Sequence, residues 1–193
     1  MMDQIGPPER IAIVTRARTH APFLREVLLA RPDLGEVFVR DGSEAAVRAA
    51  LAVGGDDVEA ELRRRRHGLA LAVALGDLSG KLNLERVTRL LSDFADAAID
   101  RALAAAIDER VAGADTGGIT VIAMGKLGSS ELNYSSDVDL LLLFDPARVP
   151  RRERDDAGEA AVRIGRRMIE ILQRRTADGY VARVDLRLRP SPE

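Results

Sequence analysis

Two aspartates, Asp137 and Asp139, stand one residue apart at the head of the apolar run "VDLLLLF". On an extended strand, side chains at that spacing leave the same face, while Val138 and Leu140 leave the other. Two carboxylates this close repel one another and resist ionisation unless a cation sits between them. Hard oxygen donors in such a pattern suit Mg²⁺ or Mn²⁺, which take a few carboxylates and complete their shells with water and phosphate. Asp185, in the later segment "GYVARVDLRLRP", is the candidate third ligand. Laid beside the first strand, it completes a three-carboxylate site for two metals about 3.5–4 Å apart. An isolated D-x-D most often marks a solvated surface. Here the pair leads out of a glycine- and serine-rich loop into a run apolar enough to be buried, which makes the combination far more specific.

That loop, "GKLGSSELNYSSD", has more small polar residues than a turn requires. Glycines let backbone N–H groups approach an anion, and serine hydroxyls add donors, so the loop reads as a phosphate cradle. It is not a Walker loop: that spacing needs Gly at 120 and Ser or Thr at 127, where Thr120 and Leu127 stand. No G-x-G-x-x-G dinucleotide fingerprint occurs either. Phosphate binding by loop plus metals, as in nucleotidyl transfer, is the reading that remains. Lys126 and Arg187 are further candidates for phosphate contact; their plainer readings are an exposed loop lysine and an ion pair to a nearby acid. Asp145 reads as the turn residue before Pro146. His20 and His67 are too far apart to suggest a metal pair, and the run Arg63 to Arg66 reads as a solvated helix face or a docking patch.

The elements that must position these residues fall into two parts. Up to about residue 112 the pattern is helical. Pro7-Pro8 opens a helix, "HAPFLREVLLARP" is a short amphipathic one ending before Pro32, and Ser43 is the expected cap of another that stops at Gly54-Gly55. Val87, Leu90, Leu91, Phe94 and Ala98 recur at spacings of three and four, one face of a long helix. From residue 117 the period changes. "GITVIAM" and "VDLLLLF" lack polar alternation, as expected of strands covered on both faces. A helix follows, with Ala161, Ile164, Met168, Ile171 and Leu172 inward. Residues 180–189 then alternate as a strand with one apolar and one charged face, the latter carrying Arg183, Asp185 and Arg187. A helical segment (1–112) followed by a sheet-and-helix catalytic core (113–193) predicts an α+β fold.

Composition narrows the function classes. There is no cysteine, which excludes disulfides, thiolate metal sites and a cysteine nucleophile. The net charge of −2 marks no nucleic-acid binder. No signal peptide is legible at the N-terminus, and the longest apolar stretches are too short to span a bilayer, so a cytoplasmic protein is expected.

The stretch "GKLGSSELNYSSDVDLLLLFD" closely resembles the nucleotidyltransferase signature of the glutamine synthetase adenylyltransferase/deadenylylase family. The resemblance continues through "IGRRMIEILQRRTADGYVARVDLRLRP" and, more weakly, upstream over the helical segment, covering roughly residues 60–190. It implies a polymerase-β-like mixed sheet with helices. It implies Asp137 and Asp139 as paired metal ligands, Asp185 as the third carboxylate, and Gly128, Ser129 and Ser136 in the loop holding nucleotide phosphates. Ser129 departs from the family's usual second glycine, and the chain ends at "RPSPE", just after the third aspartate, as a core truncated at its C-terminus. The implied partners are glutamine synthetase, ATP, ADP and phosphate, with the PII signal protein as regulator. Family members carry two such domains, one attaching AMP to a tyrosine of glutamine synthetase and one removing it by phosphorolysis to ADP. The opening Met1 and the wording "DGYVARVD" favour the AMP-removing one. The alternative is a non-catalytic fragment that binds nucleotide or partner without turnover.

Overall fold

A computed structural model describes residues 5–186. Prolines set the rhythm of the first three helices: α1 (Pro7–His20), α2 (Pro22–Ala30) and α3 (Pro32–Asp41) each begin on one. Proline suits a first helical position because its fixed φ is helical and the amide it lacks would have no intrahelical acceptor. α4 (Ser43–Leu51) follows directly. Its cap is Gly42 and no side chain accepts there, so Ser43 is the first helical residue and does not cap. The two long helices are capped conventionally: Asp57 accepts from the amides of Glu59 and Ala60 at the start of α5 (Val58–Leu78), and Asn83 from Arg86 at the start of α6 (Leu84–Asp108).

Two apolar clusters result. In the first, Leu28, Leu34, Phe38, Val47, Leu71 and Leu75 close on one another from α2 to α5, with Val87 and Leu90 of α6 completing it. In the second, Ala98, Ala102 and Ala106 of α6 meet Ile164, Met168 and Ile171 of α8 (Ala157–Gln173) and Val138 and Leu140 of the sheet. Small residues at four-residue spacing let α8 approach α6 closely. The 25-residue α6, about 37 Å long, runs through both clusters, and its Leu91 and Phe94 touch each.

The sheet has three strands in the order β1 (Ile119–Met124), β2 (Val138–Phe144), β3 (Val184–Asp185). β1 and β2 are antiparallel, with Met124 opposite Asp139 and Ile122 opposite Leu141. β2 and β3 are parallel, Val138 beside Val184 and Asp139 beside Asp185. Such a pairing needs a crossover, and α8 is that crossover.

Two expectations about the strands are corrected here. α6 and α8 cover one face only; among the described residues nothing covers the other, where Ile122, Met124, Leu141 and Leu143 are exposed. The strand expected over 180–189 is reduced to Val184–Asp185 in its described part. The amides of Val181 and Ala182 donate to the Leu172 carbonyl at 3.0 and 2.9 Å, finishing the end of α8 rather than joining a ladder. Val181, placed on the charged face by alternation, is accordingly buried.

Candidate active site

The site is built where β1 ends. Gly125 turns the chain with φ at +56° into a single helical turn, α7 (Gly125–Gly128), beside the start of β2. A Cβ on Gly125 would lie 2.5 Å from Asp139 Oδ2, and one on Gly128 would lie 2.6 Å from the Ala123 carbonyl oxygen. The first contact lets backbone approach a carboxylate as nothing larger could; the second lets α7 fold back on β1. The rest of the loop is pegged from below. Leu127 and Leu132 are buried in the second cluster, and the Leu132 amide donates to the buried Ser92 Oγ of α6 at 3.1 Å. Arg89, also on α6, donates to Ser130 Oγ at 3.1 Å.

The expected phosphate-binding residues have partners within the loop. Ser129 Oγ donates to the Gly125 carbonyl at 2.9 Å. Ser136 Oγ donates to Asn133 Oδ1 at 2.8 Å and receives Lys126 Nζ at 3.5 Å. The amides of Ser129, Ser130 and Glu131 reach carbonyls of α7 and that of Ser135 reaches Asn133 Oδ1. Asn133 is therefore the turn-forming residue. Tyr134 beside it keeps 40% of its surface exposed, while burial about its phenol pushes that group up to about 12. Arg187 lies outside the described residues.

The three aspartates are not equivalent. Val138 and Val184 pack toward the helices, so the paired Asp139 and Asp185 share the uncovered face, on strands about 4.8 Å apart. Asp137 precedes β2. Its carboxylate accepts from Arg183 Nε, and Arg183 also donates to the Ser135 carbonyl. Among the described residues no three acids or imidazoles are gathered for a metal ion. The donors present still fit a hard divalent cation: two carboxylates stand side by side, one against a glycine whose Cβ would fill the space at its Oδ2. The third acid already attracts a cation, an arginine.

Sequence reasoning missed Arg183, Gly125 and Ser92. Only Arg183 left a signal, as a base on the charged face two residues before Asp185. The Arg63–Arg66 run is no solvated face, which corrects one of the two readings given for it, while Arg66 on Tyr180 agrees with the other, a docking patch. Arg63 is buried on Glu59, Arg65 pairs with Glu61 at 2.9 Å, Arg64 donates to the Gly54 carbonyl, and Arg66 stacks on Tyr180. His67 is half-buried edge-on to Phe23.

A small mixed sheet with helices on one face and acids of adjacent strands on the other defines an α+β domain of nucleotidyltransferase type. The family model described as glutamate-ammonia ligase adenylyltransferase matches residues 12–193, and the chain belongs to that family. It is similar to the bifunctional glutamine synthetase adenylyltransferase/adenylyl-removing enzymes of Rhizobium meliloti (40% identity over 89% of this chain and 20% of the relative). Those of Xanthobacter autotrophicus (43%, over 89% and 19%) and Caulobacter vibrioides (38%, over 88% and 20%) are likewise similar. The chain thus spans about one fifth of the length of the curated relatives it matches. No helix among the described residues is long and apolar enough to cross a membrane.

Proposed function

We propose that this chain carries a metal-dependent nucleotidyl-transfer site acting on glutamine synthetase, and that its reaction is removal of AMP. The observation that carries the reading is the parallel register placing Asp139 beside Asp185 on the uncovered sheet face, against the Gly125 turn. Asp139 and Asp185 would hold Mg²⁺ or Mn²⁺, with Asp137 joining them once Arg183 releases it. Such an ion supplies neutralisation of charge on the phosphoryl group and alignment of the entering and leaving oxygens.

In this reaction an oxygen of inorganic phosphate forms a bond to the phosphorus of adenylyl-tyrosine. The bond from that phosphorus to the tyrosine oxygen breaks, the tyrosine oxygen gains a proton, and ADP leaves. Phosphate is already ionised at neutral pH, so no side chain is needed as base. The chain's own contribution is to position: Leu127, Leu132 and Ser92 hold the loop over the sheet end, and Gly125 holds Asp139.

The test is to incubate the protein with adenylylated glutamine synthetase, phosphate and Mg²⁺ and to measure ADP. We expect ADP from the wild type and none above background from Asp139→Asn with an unchanged melting curve; equal turnover by the variant would sink the proposal. The Asp137–Arg183 ion pair favours one rival reading, a segment that binds nucleotide or partner without turnover. An absence of ADP with retained nucleotide binding would select it.

A further inference from the structure

Of the four arginines in the run on α5, three are held by an acid or a carbonyl. Arg66 is the exception. Its guanidinium carbon lies 4.6 Å from the centre of the Tyr180 ring, and burial pulls its pKa below the usual arginine range. Tyr180 is its nearest partner, Arg183 is a second nearby cation, and among the described residues Arg66 forms no ion pair. A partly buried cation with no ion pair of its own can take an anionic partner at little cost in further desolvation.

There is room for such a visitor. Arg66 lies between two spaces. One is a small open pocket of about 60 Å³ reaching Ser136 and Arg183; the other is a cleft of about 610 Å³ bordered by Phe23, Tyr134, Ser135 and Arg175. The cleft falls within the usual size of a small-ligand site. Its charged groups are of both signs. His67 is held below its ordinary pKa by burial and by Arg66 and is neutral at pH 7. Arg66 and Arg175 share the cleft with Glu26, and Asp178 stands beside His67, while Arg183 is already bound to Asp137; what sets Arg66 apart is that it has no ion pair of its own. Through Ser135 and Ser136 the lining runs directly into the loop that bears Asp137.

We propose that the Arg66 cleft is an anion subsite for a phosphoryl group, carried either by free inorganic phosphate or by a nucleotide. The choice of anion rests on the function proposed above; the position rests on the geometry. Arg66 supplies a planar, permanently charged fork suited to phosphate oxygens, and Tyr180 holds that fork in place from below.

Calorimetric titration of the whole 193-residue chain with phosphate, ADP and adenosine, at constant ionic strength, tests this. Wild type is expected to bind phosphate or ADP, and Arg66→Met to weaken that binding about tenfold or more, the loss of one charge-assisted contact. Arg66→Lys should recover part of it, and adenosine should bind both proteins alike. Loss confined to phosphate identifies the free anion; loss confined to ADP identifies the nucleotide's phosphate. Arg66→Gln, with circular dichroism on each variant, guards against a folding defect in any one substitution. Wild-type affinity for phosphate and ADP in a folded Arg66→Met or Arg66→Gln protein overturns the proposal, as does a wild type that binds neither. Asp139→Asn separates the two readings: it should lose ADP production and keep Arg66-dependent binding. Absent turnover with that binding intact counts against the proposed function alone.

Discussion

The helical region and the sheet solve burial in opposite ways. In the first, Leu34, Phe38, Leu71 and Leu75 are completely enclosed where the helices meet. In the second, β2 turns Val138 and Leu140 inward but leaves Leu141 and Leu143 at 38% and 49% exposure, in line with Asp139. One region spends its apolar surface on stability. The other keeps a face open, and its acids stand there.

The contrast is sharpest in substitutions that should separate activity from stability. Asp139→Asn is expected to lower ADP production by about a thousandfold or more, the scale of removing one preorganised charge-stabilising group, with the melting temperature unchanged in calorimetry. Phe38→Ala should do the reverse. Its cavity costs about 3–5 kcal/mol in urea unfolding, while phosphate and nucleotide affinity of the folded fraction stay at the wild-type value. A helical-core substitution that changed affinity before stability would break the comparison.

Smaller effects test the boundary between the two regions. Gly125→Ala places a Cβ against Asp139 and a side chain at positive φ. It should cost about 1–2 kcal/mol and weaken Mn²⁺ binding followed by electron paramagnetic resonance. Arg167 on α8 joins Glu59 of α5 at 3.0 Å and Glu109 at the end of α6 at 2.7 Å. Hydrogen bonding to Arg167 holds the Glu109 carboxyl below the usual glutamate range. A depressed carboxyl adds stability above its unfolded pKa and loses it as pH falls through the folded value. Arg167→Met should therefore lower the unfolding midpoint at pH 7, and the gap to wild type should narrow below about pH 4. A gap independent of pH would assign the effect to lost packing.

Much of the helical region was legible because its signals are local. Prolines at helix starts and apolar residues three and four apart located α1, α2, α6 and the inward face of α8. α3 was not marked off: Gly35 interrupts a short run, and what makes it helical is Leu34 and Phe38 meeting the rest of the cluster. Gly42 took the cap from Ser43 for the same reason, since the tight α3–α4 turn needs φ at +86° there. Of the site, the residue types and the strand bearing Asp139 were readable. The pairing of Asp139 with Asp185 emerges only from register. The claim of Arg183 on Asp137 could not be read at all, because it depends on where Val181 and Ala182 spend their amides.

That last arrangement has a kinetic consequence. The ladder bringing Asp139 and Asp185 together is two residues long, and its partners are separated by the whole of α8. Contacts so distant in sequence form late in folding, and a ladder so short opens at little expense. The acid pair is thus expected among the features undone first. In hydrogen exchange the Val184 and Asp185 amides should report openings far more frequent than those of α6, so that the site breathes on a frame that does not.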